Sequence, residues 1–177
     1  GALRTAGLVP EQLDYINDGD PAGGGDLGAT CIWLMPITSA ASYHGYDTID
    51  YYTVEPDFGT NDDFKRLIAE AEARGIKVII DLVINHTSSE HPWFQEAAAG
   101  PASPRRDWYL WSEVKPQWRG PFGNNEVWHA APAGDGYYYG VFWGGMPDLN
   151  FRNPAVTEEI HAISRFWVEE MGVAGFR

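Results

Sequence analysis

Two apolar runs, Ala29–Pro36 and Ile76–Ile84, stand on either side of an amphipathic segment, and that order leaves few folds open. The first run is apolar almost throughout and bounded by turn formers, as expected of a parallel strand covered on both faces, with Cys31 a core residue within it. In the segment between, Thr60 and Asp63 form a capping-box-like pair, Asp standing where Glu or Gln is usual. Phe64, Leu67, Ile68 and Ala71 follow at helical spacing and Gly75 supplies the stop. A second strand over Ile76–Ile84 comes directly after. Strand, helix, strand implies a right-handed parallel crossover, hence an α/β fold.

Elsewhere the pattern is less even. Leu8, Leu13 and Ile16 suggest a short helix over residues 8 to 17, followed by a surface loop, Asp18 to Asp26, whose Gly and Asp content suits ion binding. From His86 to about Gly145 the chain runs through Pro, Gly, Trp and Tyr with no sustained period, the mark of a functional excursion. Regularity returns with Asn153 as N-cap and Pro154 at the first helical position, then Val156, Ile160, Ile163 and Trp167 on one face. Gly172 ends that helix and a third strand begins in Gly175-Phe176-Arg177. The first residue is Gly rather than Met, and the last residues read as a strand just starting, so both ends are expected to be cut.

The net charge of −13 argues against a nucleic-acid backbone or an anionic membrane surface as partner, since both would be repelled. A neutral ligand fits better. Eight Trp, nine Tyr and eight Phe exceed ordinary core needs, and flat aromatic faces are what a sugar ring stacks on; the alternative is simply an aromatic core. With Cys31 the sole cysteine, no internal disulfide can form. No run of about eighteen apolar residues is long enough to span a bilayer, and the chain as given reads as soluble.

Several ordered motifs carry a resemblance. Ile32-Trp33-Leu34-Met35-Pro36 is followed by Ser42-Tyr43-His44-Gly45-Tyr46-Asp47, Asp50-Tyr51-Tyr52 and Phe58-Gly59-Thr60. Then come Asp81-Leu82-Val83-Ile84-Asn85-His86, Met146-Pro147-Asp148-Leu149-Asn150 and Gly175-Phe176-Arg177. In this order they resemble glycoside hydrolase family 13, the α-amylase family, over essentially the whole chain, with wording closest to bacterial α-amylases. The resemblance implies a partial TIM-type (β/α)8 barrel, about strands 2 to 4, with a long inserted domain B after the third strand. The implied parts are residues 1–85 as barrel, 86–145 as domain B and 146–177 as the return to the barrel. In such a fold the site lies at the C-terminal ends of the strands, where Tyr46, Asp47, Asn85 and His86 all fall.

The resemblance also implies roles. Tyr46 would be the platform for the sugar at the cleavage point, the alternative being a tyrosine packed on the barrel rim. His86 would hydrogen-bond hydroxyls of the same sugar, and His44 and Asp47 belong to the same substrate-binding set. Asp81 would pair with Arg177 and so orient a catalytic carboxylate nearby, rather than react itself; the alternative is a strand-end cap. Asn85 and Asp148 match positions that bind a structural calcium in many members of the family and not in others. No organic cofactor is implied. Asn85-His86-Thr87 also fits a glycosylation sequon, but a glycan there would block the site. The rings of Trp108, Trp111, Trp118, Trp128, Tyr137, Tyr138, Tyr139 and Trp143 are expected to form mainly the excursion's own core, with two or three exposed, the alternative being that they build outer sugar subsites.

Retaining glycosidases use two carboxylates roughly 5 Å apart. The family's nucleophile Asp falls two residues after the position of Arg177, and its acid and third carboxylate come from later strands, so none of the three lies in this chain. The chain alone is therefore expected to be inactive. Three functions remain open: a secreted or periplasmic α-amylase acting on α-1,4-glucans, an α-glucosidase or trehalose synthase of the same family, or a non-catalytic homologue that binds.

Overall fold

A computed structural model describes residues 10–20, 22 and 24–177. By contact density the described chain divides into two compact units. One holds the residues up to Ser39 together with Tyr51–Leu82 and Ile163–Arg177; the other holds Ala40–Asp50 and Val83–Ala162.

In the first unit, β1 (Cys31–Leu34), β4 (Lys77–Ile80) and β8 (Gly175–Phe176) form a parallel sheet in the order β1-β4-β8. Between β1 and β4 the chain makes β2 (Thr38–Ala40), β3 (Thr48–Val54) and helix α2 (Asn61–Ala73), so the parallel α/β reading holds. A capping box starts α2: Thr60 Oγ1 accepts from the Asp63 amide while the Asp63 carboxylate accepts from the Thr60 amide, both at 3.1 Å. Phe64, Leu67 and Ala71 are the buried face. Gly75, at φ +70°, makes the left-handed turn into β4. A shorter helix, α1 (Pro10–Ile16), precedes β1 with Leu13 fully buried; Leu8 lies outside the described residues.

Two expectations fail in β1. Cys31 is exposed, and Trp33 and Met35 are 47% and 53% exposed, so the strand is not covered on both faces. Among the described residues β1 has a strand neighbour only in β4, where exposed Cys31 pairs with exposed Lys77. The second strand is also shorter than its apolar run: ladder pairing ends at Ile80, and Leu82–Ile84 continue without strand geometry.

The last helix, α4 (Pro154–Arg165), begins at the expected cap, the Asn153 side chain accepting from the Ala155 amide at 3.0 Å. It continues through a π-helical turn, Phe166–Glu170. Val156, Ile160, Ile163 and Trp167 are all buried. Trp167 meets Phe64 edge to face at 5.6 Å and donates its indole N–H to the Tyr51 carbonyl at 2.8 Å.

The stretch from His86 to Gly145, whose sequence shows no sustained period, contains helix α3 (Pro92–Ala97), a single 3-10 turn (Arg106–Trp108) and a small antiparallel sheet. The sheet runs β5-β7-β6, from Trp111–Ser112, Tyr137–Tyr139 and Trp128–Ala130. Strands of two and three residues are too short for alternation to register in sequence. Their side chains, with Phe94 and Tyr109, build an aromatic core in which rings meet mainly edge to face. Of the eight aromatic residues expected to supply that core, only Trp118 and Trp143 are exposed large side chains.

Candidate functional site

Each unit carries one cluster of the residues singled out above. In the first unit the cluster forms at the C-terminal ends of the parallel strands. Asp81, next after β4 and only 4% exposed, accepts the Trp33 indole N–H at 2.9 Å and the Arg177 guanidinium through both oxygens, at 3.1 and 3.0 Å. The Arg177 guanidinium also lies 4.5 Å from the Trp33 ring centroid, a cation–π contact. Backbone bonds hold the arginine in place: its N–H donates to the Ile80 carbonyl at 3.0 Å and its carbonyl accepts from Leu82 at 3.2 Å. The lone pairs of this buried carboxylate are thus committed to donors already in place.

In the second unit, the loop Ser42–Asp47 and the segment Asn85–His86 meet. Gly45, at φ +77°, closes a turn on Ser42 that no residue with a Cβ adopts as readily. Asp47, 4% exposed, is spent inside this loop: one of its oxygens accepts from the Ser42 amide at 3.2 Å and the Ser42 hydroxyl at 2.5 Å. His44 is half-exposed, and its Nδ1 accepts from the Tyr46 amide at 3.1 Å.

His86 is 4% exposed, and its Nε2 lies 2.8 Å from the Tyr46 carbonyl, so Nε2 is the protonated nitrogen. Its Nδ1 then accepts from the Asn85 amide at 3.2 Å. Burial holds the imidazole below its ordinary pKa, outweighing the Tyr46 carbonyl and Asp47, which raise it. Both ring nitrogens therefore have partners. The expectation that His86 bonds sugar hydroxyls meets this geometry: a hydroxyl gains His86 only in exchange for one of these bonds, and the immediate work of the ring is to fix the backbone of Tyr46.

Asn85 and Asp148 are brought together by an antiparallel bridge, Leu149 donating to the Asn85 carbonyl at 2.9 Å and Thr87 to Pro147 at 3.2 Å. The Asn85 side-chain amide donates to one Asp148 oxygen at 3.1 Å, and the Val141 backbone to the other at 3.0 Å. Burial raises the Asp148 pKa, partly offset by these two donors. Among the described residues no group of three His, Cys, Asp or Glu converges, and Asn85 and Asp148 are joined directly by a hydrogen bond.

Two residues that carried no sequence signal join this cluster. Phe142 meets the His86 ring edge to face at 5.1 Å, and Phe122 stacks on Phe142 at 5.1 Å and 18°. Both are exposed, at 42% and 56%. Their separation of more than thirty residues from His86 hides the contact in sequence, although a Phe three places after a run of three tyrosines was visible.

The family model described as "Alpha amylase, catalytic domain" matches residues 6–177. The chain is 48% identical over 171 residues to Alpha-amylase 3 of Dictyoglomus thermophilum, covering 97% of this chain and 31% of that protein. It is 44% identical over 183 residues to a trehalose synthase/amylase of Mycobacterium tuberculosis, covering all of this chain and 28% of the relative. Among solved structures, an alpha-amylase from H. orenii superposes with a TM-score of 0.87 at 51% identity, covering 95% of this chain and 34% of that one. The chain thus spans about a third of the length of the relatives it matches.

Proposed function

Since the chain belongs to the α-amylase family of glycoside hydrolases, we propose that it contributes the part of a (β/α)8 barrel around strands 2 to 4, with an inserted domain B, to a retaining glycosidase acting on α-1,4-linked glucans. The observation that carries this reading is the Asp81–Arg177–Trp33 cluster. A buried carboxylate gripped by an arginine at the C-terminal ends of parallel strands is suited to aim a reacting group, not to be one. In this reading Tyr46 is the sugar platform, and His86 holds it in place through the backbone. The outward pair Phe142 and Phe122 extends the apolar surface beside His86 for the next sugar along.

A second reading, trehalose chemistry, is favoured by the identity to the trehalose synthase/amylase. Calorimetric titration of the 177-residue chain separates the two. Tighter binding of maltotetraose than of trehalose is the expected result, and Tyr46→Ala should weaken the maltotetraose affinity about tenfold through loss of one stacked ring. Preference for trehalose would favour the second reading, and release of reducing sugar from maltoheptaose by this chain alone would overturn the assignment of Asp81 and Arg177 as positioning residues only.

A further inference from the structure

Within the second unit, the small antiparallel sheet and the segment after Asp148 enclose an open cleft of about 560 Å³, within the size range of small-ligand sites. Trp111, Trp118, Trp128, Tyr139 and Phe151 supply its aromatic lining, with Asn150 and Arg152 among its polar residues. Three of the rings brace one another at steep angles: Trp118 against Trp128 at 5.7 Å and 67°, Trp128 against Tyr139 at 5.2 Å and 61°, and Trp118 against Tyr139 at 6.4 Å and 78°. Thus Trp118 is held in place although it is 63% exposed, and Phe151 presents a further ring at 44%.

The polar groups point to the kind of ligand. Trp128 is 7% exposed, and its indole N–H has no acceptor among the described residues, an arrangement that folded proteins rarely leave unmet. The Asn150 side chain is committed to Asp107, donating to its backbone and side-chain oxygens at 2.9 and 3.1 Å, and accepts the Arg152 amide at 3.2 Å. The Arg152 guanidinium has no partner among the described residues. The cleft therefore offers flat apolar walls and N–H donors, and its carboxamide is already engaged.

A purely aliphatic ligand would leave the Trp128 donor unmet. An anion would meet Arg152 but would have to lose its hydration against aromatic walls, on a chain of net charge −13. A pyranose ring supplies both things the cleft lacks, a C–H face for stacking and a rim of hydroxyl oxygens that accept hydrogen bonds. We propose that this cleft is a carbohydrate-binding site separate from the Tyr46 loop. One neutral pyranose of an oligosaccharide stacks on Trp118, takes the Trp128 indole N–H on a hydroxyl, and meets Arg152 at the edge.

The test is titration of the 177-residue chain with maltotetraose, followed by the indole N–H resonances in ¹⁵N-correlated spectra, the Trp128 signal being assigned by its loss in Trp128→Phe. That signal should move saturably. Trp118→Ala should weaken the associated affinity at least about tenfold, and Trp128→Phe, which keeps a ring but deletes the donor, roughly three- to tenfold. Tyr46→Ala should keep the Trp128 shift; loss of the shift in that variant would merge the two sites and overturn the proposal, whereas failure of the Tyr46 platform alone would leave the shift intact. A Trp128 signal unmoved at saturating sugar would overturn the proposal, as would Trp118→Ala binding like the parent. So would movement by an apolar peptide and not by sugar.

Discussion

The parallel-sheet unit and the unit built around the small antiparallel sheet are held together differently. In the first, Phe64, Ile76, Ile80, Ile163 and Trp167 are removed from water on helices and strands whose periodicity decides what is buried. In the second, short elements are tied by side chains that bond backbone: His86 to the Tyr46 carbonyl, Asp148 to the Val141 amide, Asn125 to the Val141 carbonyl, Tyr138 to the Gly144 carbonyl. Where repetition fixes the fold, packing supplies most of the stability. Where it does not, specific polar bonds must choose one conformation among many.

The sharpest way to break this contrast is Trp167→Ala. The residue is fully buried, touches Phe64 and bonds the Tyr51 carbonyl, so the substitution should cost about 3–5 kcal/mol in urea denaturation. A loss below about 1 kcal/mol would mean that packing does not dominate there.

Next in size is a pH effect confined to the polar unit. His91 caps helix α3, its Nδ1 accepting from the Trp93 amide at 3.1 Å, and burial brings its pKa down from 6.5 to about 4. A neutral ring is needed for that cap. Because the unfolded chain takes up the proton first, stability is complete above about pH 6.5 and falls as the pH drops towards about 4, by on the order of 3 kcal/mol. His86, lowered for the same reason, acts with the same sign. Asp148, raised by burial, acts oppositely and only nearer the carboxylate range. Denaturation midpoints at pH 7 and 4.5 measure the sum; His91→Asn, which keeps an N-cap acceptor without a titrating ring, should flatten much of the slope.

The smallest expected effect lies at the start of α2. Thr60→Ala deletes one half of the capping box and should cost about 1 kcal/mol, read as a lowered thermal midpoint without change in the spectrum of the native state.

These same differences explain what could be read in advance. The capping box, the stop at Gly75 and the stripe Val156, Ile160, Ile163, Trp167 are local patterns, and each lies where spacing places it. The exposure of Cys31 and Trp33 was not legible, because an apolar run says that a strand is able to be covered and not what covers it. The strands within 86–145 are too short to show a period. For the candidate site, motifs singled out Asp81, Arg177, Tyr46 and His86, which the structure brings into two clusters, Asp81 with Arg177 and Tyr46 with His86. That both nitrogens of His86 are already engaged, and that Phe142 lies against it, depends on contacts 40 and 56 residues apart that no local pattern encodes.

The bond from His86 to residue 46 has an evolutionary side. It grips a main-chain carbonyl, which every amino acid supplies, so the anchor is blind to the side chain it holds in position. Swapping tyrosine there for phenylalanine, tryptophan or leucine changes the surface on offer while the loop stays moored. The side chain at that position can therefore be exchanged without deleting the bond that moors the loop.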